Sequence, residues 1–334
     1  RDVVRQHHLN RASGHVDSIH IKTMPLCYTL NAANFPMRAA GGHGSVAGRI
    51  VRNISNLDLD QVHSRLTFDL HYHTNVHRLP GSQRQRRLQQ HHDCLKTTGV
   101  DFVASTEHAY KEPLDAYLYL RDATEGLPVT IIPAVEAICE EGVDIIYLYR
   151  SEEDLRAALR AMPPFSWKAR DINKWRDDTG AINIIPHPFT PGKTGLANVL
   201  GPDRFMDLQQ GADYVEIHNG LSLHFLENGW KRKNGFAIPD RMEESVRNTF
   251  RLPGKYRLGE TGWAVSSDAH FPQHQRIVGG IDLDAAQATE ARNDWFGFLK
   301  GRRHFAKTTV SNEEQNSWVK LWHMIQSSSC TMGE

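Results

Sequence analysis

From residue 66 onward the chain alternates short apolar runs with longer polar stretches. Seven of these runs have the length and composition of strands, and helix-prone segments lie between several of them. The predicted strands are Leu66–Leu70, Phe102–Ser105, Val129–Pro133, Asp144–Tyr149, Ala181–Ile185, Tyr214–Ile217 and Trp263–Ser266. The predicted helices are Gln83–Thr97, Leu155–Met162, Trp167–Thr179, Pro202–Gln210 and Asp284–Lys300. Such alternation favours parallel strands with right-handed crossovers, so the pattern predicts an α/β fold of the (β/α) barrel type.

The two ends of the chain lack this alternation. Residues 1–65 show little periodicity and are interpreted as an N-terminal extension of unknown role. Residues 311–334 are polar and serine-rich, which is typical of an appended tail. The sequence therefore predicts one barrel domain, residues 66–310, between an extension and a tail.

Polar clusters follow the predicted strands. The first strand leads into Asp69-Leu-His71-Tyr-His73-Thr74. Side chains two residues apart in a strand point to the same face, so His71 and His73 can converge on one metal ion. Other apolar runs with such an ending are Val103–His108, Thr130–Glu136, Ile182–Pro188 and Trp263–His270. Because active sites of such barrels lie at the carboxyl ends of the strands, these clusters predict a multinuclear metal site.

Composition narrows the possible partners and setting. Histidine occurs 19 times, and imidazole is the commonest metal ligand in proteins. Lys+Arg and Asp+Glu both number 39, so a basic surface for long nucleic acids is not indicated. The four cysteines, Cys27, Cys94, Cys139 and Cys330, are widely spaced and form no CxxC motif, which favours a reducing, cytoplasmic setting. No segment approaches the ~20 apolar residues of a membrane span, so no membrane partner is expected.

The strand-end motifs, in this order, resemble those of the PHP (polymerase and histidinol phosphatase) superfamily over residues 66–310. The motifs are His71-Tyr-His73-Thr74, Thr106-Glu-His108, Pro133-Ala-Val-Glu136, His187-Pro188 and Ser267-Asp-Ala-His270. The resemblance implies a distorted (β/α)7, TIM-like barrel that holds two or three divalent ions, commonly Zn, Mn or Fe. It does not identify a subfamily.

The resemblance also implies a ligand set. The ligands of one metal would be His71, His73, Glu136 and Asp268. Glu136 would bridge to a second metal, which is also held by His187. Asp144 stands where the family often has another histidine on the strand after the bridging glutamate. His108 and His270 would hold a third metal.

This chain departs from the family pattern in two motifs. Glu107 replaces the aspartate that the family usually has before His108. The family often continues its first motif with Ser-Asp-Gly, where this chain has Asn75-Val-His77-Arg78. Two interpretations stay open: His77 is a third-metal ligand, or Arg78 replaces that metal with a fixed positive charge.

The chemistry of the residues agrees with the resemblance. Mixed histidine and carboxylate ligands suit Zn, Mn or Fe better than Mg or Ca. A carboxylate that bridges two ions about 3.5–4 Å apart suits displacement at phosphorus by a metal-bridging hydroxide. His218 and His270 are the candidates for the acid that protonates the leaving group. Arg78 and Lys193 are the candidates for binding the substrate phosphate.

The sequence thus predicts a metal-dependent phosphoesterase acting on a small phosphomonoester or phosphodiester. One alternative is an exonuclease or oligonucleotide phosphodiesterase, since zero net charge still allows a short nucleic acid. Another is a non-phosphate, amide-type metallohydrolase, because metal-activated water also attacks carbonyl carbon. A metal cage that serves only folding is the remaining alternative. The oligomeric state stays open.

Overall fold

The computed structural model describes residues 64–190, 194–221 and 240–312, and for residues 240–243, 245 and 246 the backbone alone. Almost all of the predicted extension and tail, and also Lys193, lie outside the described residues. No helix within the described ranges is both long enough and apolar enough to cross a membrane.

Nine strands and nine helices make up the described part of the chain. The strands are β1 Ser64–Tyr72, β2 Phe102–Ser105, β3 Thr130–Ile138, β4 Asp144–Leu148, β5 Ile182–Ile185, β6 Tyr214–Asn219, β7 Gly262–Ser266, β8 Ile277–Leu283 and β9 Ala306–Thr309. The helices are α1 Gly81–Thr98, α2 Pro113–Ala123, α3 Glu152–Ala161, α4 Ile172–Thr179, α5 Leu196–Leu200, α6 Pro202–Gln209, α7 Asp240–Tyr256, α8 Ala285–Asn293 and α9 Trp295–Lys300.

All nine strands belong to one sheet, in the order β7-β6-β5-β4-β3-β2-β1-β8-β9. The sheet curls until the chain just after β7 reaches β1, where Asp268 N donates to His71 O at 2.9 Å and His73 N donates to Ala269 O at 3.0 Å. On the other side, Phe305 N donates to Trp263 O at 3.1 Å and so joins the segment before β9 to β7. The sheet is therefore a nearly closed barrel, and the predicted α/β barrel is confirmed.

The prediction that the strands are all parallel is wrong for part of the sheet. Strand β4 runs antiparallel to both β3 and β5, and β8 runs antiparallel to β1. The turn between β3 and β4, at residues 139–143, is too short for a crossover, because a parallel connection needs about a dozen residues or more. Gly142, at φ 77°, occupies the left-handed region inside this turn.

Other elements also differ from the sequence pattern, which predicts neither helices α2, α5 and α7 nor strand β8. The single helix expected at residues 284–300 is two helices, because Asp294 has φ −138° and its carboxylate accepts a hydrogen bond from Gly297 N at 3.0 Å. Asp294 thus ends α8 and caps the start of α9.

The barrel interior is filled by residues from β1 to β8 and closed at one end by α8, α9 and Phe305. Phe68 and Phe102 stack at its centre, with 4.4 Å between ring centroids. Alternation along β1 is interrupted between Asp69 and Tyr72, where the register with β2 shifts. As a result Leu70 packs with the interior cluster, whereas Tyr72 packs outside the barrel with Leu95 of α1. This β-bulge directs His71 and His73 to the carboxyl end of the barrel interior.

Candidate metal centre

Glu136, in β3, lies at the centre of the strand-end side chains and is 1% exposed. Its Oε1 lies 3.2 Å from His187 Nε2 and 3.4 Å from His71 Nε2. Its Oε2 lies 2.8 Å from His108 Nδ1 and 3.5 Å from His73 Nε2. Each carboxylate oxygen therefore faces a different pair of histidines, which is the arrangement expected of a carboxylate that bridges two cations.

Asp268 closes the cluster from the opposite side of the barrel. Its Oδ1 lies 3.4 Å from His71 Nε2, 3.3 Å from His73 Nε2 and 3.4 Å from His270 Nδ1. Its Oδ2 accepts a hydrogen bond from Asn219 Nδ2 at 3.0 Å. Asp268 has φ 50°, a strained conformation for a residue with a side chain, and such strain is characteristic of functional sites.

The structure brings all eight predicted ligands together in four overlapping groups, within each of which the ligand atoms lie within 4.8 Å of one another. The groups are His73, His108 and His270; His71, His187 and Asp268; His71, His73 and Glu136; and His108, Glu136 and Asp144. Asp144 thus joins the cluster from β4, although β4 runs against its neighbours.

Some buried polar atoms of the cluster lack a hydrogen-bond partner among the described residues, as is expected of atoms that bind a cation. His71 Nε2 and His73 Nε2 lie 3.1 Å apart, a separation at which two neutral imidazole nitrogens share at most one proton. Glu136 Oε2 and Asp268 Oδ1 are buried and accept no hydrogen bond. Buried polar atoms are normally satisfied, so these lone pairs match a divalent metal rather than a packed core.

The pKa values of the cluster reflect the opposition between burial and charge. Burial lowers the pKa of His71, but the negative charges of Asp268 and Glu136 outweigh this and hold it well above the ordinary value. Burial raises the pKa of Glu136, yet the neighbouring histidines hold it well below its ordinary value. For Asp144, burial and repulsion from Glu136 act together and raise the pKa well above the usual range. Buried carboxylates gathered in this way are stabilised by positive charge, which protonated imidazoles or bound cations supply.

Glu216 supports the ligands from β6 without belonging to any of the four groups. Its Oε1 lies 3.4 Å from His71 Nδ1, the ring nitrogen that faces away from Glu136. Its Oε2 accepts hydrogen bonds from His187 N at 2.7 Å and from Asn219 Nδ2 at 3.0 Å. Sequence reasoning did not assign Glu216 to the site, although a carboxylate inside an apolar strand was a signal for it. Partners of this kind fix the orientation of metal-binding imidazoles.

Glu107, which stands where the family has aspartate, performs a similar role on the other side. One of its oxygens lies 3.6 Å from His73 Nδ1. The other accepts hydrogen bonds from Asn75 N at 2.7 Å and from Thr74 Oγ1 at 3.2 Å. The glutamate therefore connects the segment Asn75–Arg78, where the chain departs from the family pattern, to the predicted ligand His73.

Two predicted histidines lie away from the cluster. His218 is turned outward by a register shift in β6 after Glu216, and its ring lies 4.9 Å from that of Phe250 in α7. Burial and the charge of Lys307 lower the pKa of His218 to about 4, so it is neutral and a poor proton donor near pH 7. His77 Nδ1 lies 3.2 Å from Glu112 Oε2, and the ring is in none of the four groups.

Of the predicted phosphate-binding residues, Arg78 is exposed and has φ 55°, and Lys193 lies outside the described residues. A residue that sequence reasoning missed, Arg87 on α1, is half-buried, and its guanidinium lies 4.6 Å above the ring of Phe271, which follows the ligand His270. Arg87 Nη1 is buried without a hydrogen-bond partner, and Arg87 lines a cavity of about 300 Å³ together with Arg86. Helix α1 follows β1, so its first turns lie at the same end of the barrel as the cluster.

No family model matches the chain, and no curated protein matches it. Among solved structures, PsfC from Pseudomonas syringae has a TM-score of 0.50 and 16% sequence identity, over 80% of this chain and 99% of PsfC. The fold is shared with PsfC. At this level of identity the likeness concerns the fold and not the activity.

Two other solved structures are similar at lower TM-scores. The lesion-specific endonuclease PfuEndoQ from Pyrococcus furiosus has a TM-score of 0.44 and 15% identity, over 74% of this chain and 58% of that protein. A two-domain protein from Bacteroides vulgatus, which contains a predicted PHP-like metal-dependent phosphoesterase, has a TM-score of 0.44 and 16% identity, over 74% and 66% of the two chains. This chain therefore spans less than two thirds of either protein.

Proposed function

We propose that this chain is a PHP-type metal-dependent phosphoesterase. The observation that carries the proposal is the position of Glu136, whose two oxygens face different histidines within one buried cluster of eight candidate ligands. Divalent ions held there would supply a nucleophilic water near neutral pH and stabilise negative charge on a phosphoryl group. The ligand set of nitrogen and carboxylate donors suits Zn, Mn or Fe.

The residues of the chain divide the remaining work between them. Glu216 and Glu107 orient the imidazoles of His71 and His73. His270 lies in one group with His73 and His108, and their ligand atoms lie within 4.8 Å of one another. This favours a ligand role for His270 over the alternative role of leaving-group acid. Water at the mouth of the barrel would then protonate the leaving group.

Positive side chains at the mouth support a phosphorylated substrate. Arg78, Arg87 and Lys111 form no ion pair with a carboxylate of the described residues. An unpaired guanidinium presents donors that match two oxygens of a phosphate. The substrate we propose is therefore a small phosphomonoester or phosphodiester. The setting we propose is reducing and cytoplasmic, since Cys94 and Cys139 are buried free thiols.

A metal-dependent activity screen tests the proposal. The full-length protein would be stripped with a chelator, reloaded with Zn, Mn or Fe, and assayed for phosphate release from a panel of phosphomonoesters and for cleavage of phosphodiesters. We expect hydrolysis only after reloading. A reloaded protein that contains bound metal and hydrolyses none of the panel would overturn the proposal, and hydrolysis of amide substrates alone would favour the amide-type alternative.

A further inference from the structure

Three aromatic rings form a column that leads from the metal centre towards solvent. The ring of Tyr110 stacks on that of the ligand His108, with 5.2 Å between centroids and 9° between planes. The ring of Phe165 stacks on that of Tyr110 in turn, at 6.2 Å and 23°. One end of the column is therefore a metal ligand and the other is Phe165.

Phe165 is exposed in a way that packing does not explain. It is 50% exposed, and among the described residues the other exposed large apolar side chain is Val199. Its backbone has φ 59°, a region that costs a bulky L-residue about 1–2 kcal/mol by general estimates. Side chains held in strained conformations and open to solvent are characteristic of ligand sites.

The structure around Phe165 holds the ring in this position. Its backbone N donates to Ile138 O, the last residue of β3, at 3.0 Å. Ser166 Oγ donates to Pro163 O at 2.6 Å and closes the turn that precedes α4. Because Ile138 ends the strand that carries Glu136, the turn lies at the same end of the barrel as the metal centre.

A positive charge accompanies the column. The ammonium group of Lys111 lies 5.5 Å from the centroid of the Tyr110 ring, and its backbone N donates to His108 O at 2.8 Å. Lys111 forms no ion pair with a carboxylate of the described residues. An unpaired cation beside stacked rings next to a metal centre matches a ligand that carries both a flat ring and a phosphate.

We propose that the column His108–Tyr110–Phe165 is a stacking platform for a nucleobase, so that the substrate is a nucleotide or a short oligonucleotide. The inference rests on the proposed function and names its substrate class. A flat heterocycle extends the column with π-stacking contact over its whole face, which a saturated sugar ring does not provide. The base reaches the outer face of Phe165 while the phosphate stays near Lys111 and the metal centre. Stacking of bases on aromatic side chains is a general mode of nucleotide binding.

Binding to the metal-free, full-length protein tests the platform apart from activity. The probe is a trinucleotide that contains 2-aminopurine, whose fluorescence is quenched when it stacks on an aromatic ring. We expect quenching with the wild type and with Phe165→Trp, and about tenfold weaker binding with Phe165→Ala. Val199→Ala is the matched control and should bind like the wild type. Equal quenching and affinity in wild type and Phe165→Ala would overturn the inference.

Kinetics with reloaded enzyme separate this inference from the proposed function. The substrates are ribose 5-phosphate, nucleoside monophosphates, a trinucleotide and the same trinucleotide with abasic positions. Phe165→Ala should lower kcat/KM about tenfold for whichever base-containing substrate the wild type uses, and leave the base-free partner unchanged. A higher kcat/KM for the trinucleotide would identify the substrate as a short oligonucleotide, and a higher kcat/KM for the monophosphates would identify it as a mononucleotide. An equal loss on base-containing and base-free substrates, or no loss at all, would reject the platform while phosphoesterase activity stands.

Discussion

The candidate site has two parts, a floor and a rim. The floor is the buried cluster of eight candidate ligands with their supporting carboxylates Glu107 and Glu216, and the rim is the group of more exposed residues around it. The two parts differ in their electrostatic character. On the floor, buried carboxylates face histidines at 2.8–3.5 Å, as around Glu136. On the rim, Arg78, Arg87 and Lys111 are cations that form no ion pair with a carboxylate among residues 64–190, 194–221 and 240–312. The floor therefore favours cations, and the rim can accept anions. A metal-bound phosphate ester, the substrate that we propose, would match both.

The two regions also differ in how they are supported. Floor residues are held by other buried polar groups, such as Glu216 and Asn219. Rim residues are more open to solvent: Asn75 is partly exposed, and Arg78 and Phe165 are exposed. A rigid floor suits a fixed metal cluster, whereas an exposed rim can vary without loss of the core. We therefore expect substitutions on the floor to weaken metal binding and substitutions on the rim to weaken substrate binding.

Loss of the bridging carboxylate should have the largest effect. Glu136→Gln leaves one oxygen to face histidines that now lack a counter-charge, so we expect at least about a thousandfold loss of kcat and a lower metal content. Metal content would be measured by atomic emission spectroscopy after reloading. Glu140→Gln is the matched control, since Glu140 is exposed and its carboxylate lies 3.8 Å from the ammonium group of Lys168, away from the cluster. Wild-type metal content in Glu136→Gln would contradict the bridging role.

Glu216→Gln tests whether the floor depends on its supporting groups. His187 N and Asn219 Nδ2 both donate to Oε2, so the amide oxygen would keep that position. The amide NH2 would then face His71 Nδ1 and offer a donor where the carboxylate offers a charged acceptor. We expect metal affinity to fall about 10- to 100-fold, as for other partners of metal-binding imidazoles. Competition with a chromophoric chelator would measure it, with Glu153→Gln on α3 as control. An unchanged dissociation constant would mean that Glu216 is not part of the floor.

His91 is a buried histidine of α1, and we expect it to affect the pH dependence of stability. Its Nδ1 lies 2.6 Å from Tyr72 Oη and its Nε2 lies 2.9 Å from Thr74 O. Burial, with a smaller contribution from Arg87, lowers the pKa of His91 from 6.5 to about 3. Below pH 6.5 the unfolded chain binds a proton that the folded chain excludes, so this residue's contribution to stability is lost as the pH falls from 6.5 towards about 3.

The measurement is urea unfolding of metal-free wild type and His91→Gln at several pH values. Between about pH 6 and pH 4 the free energy of unfolding of the wild type should fall by up to about 1.4 kcal/mol per pH unit more than that of the variant. The other histidines titrate in both proteins and cancel in the difference. If the free energies of unfolding of the two proteins fall equally with pH, His91 does not contribute to the pH dependence of stability.

The smallest effect is expected on the rim. Arg87→Gln removes an unpaired guanidinium beside Phe271 and should raise KM for a phosphate ester about tenfold or less, with little change in kcat. Arg84→Gln is the matched control, because Arg84 lies on the same helix but rests over Tyr119, at 4.6 Å. A fall in kcat with unchanged KM would contradict this role and would mean that Arg87 acts on the chemical step and not on substrate binding.

Most of the floor could be predicted from the sequence. Short apolar runs with polar endings are local signals, so the positions of β2, β5 and β7 and the ligands that follow them could be found without coordinates. The spacing of His71 and His73 was sufficient to place them on one face. Less of the rim could be predicted, because Arg87 and Phe165 reach the site through helix and turn geometry that no local pattern encodes.

From the sequence alone we could predict where β1 to β7 form and which ionisable side chains lie near their ends, because strand propensity and ligand chemistry are local properties. Only the tertiary structure decided which way those side chains point. The bulge in β1 turns His71 and His73 inward, and the register shift in β6 keeps Glu216 inside but turns His218 out. A shift of one residue exchanges the two faces of a strand, and pairing with neighbouring strands sets that register.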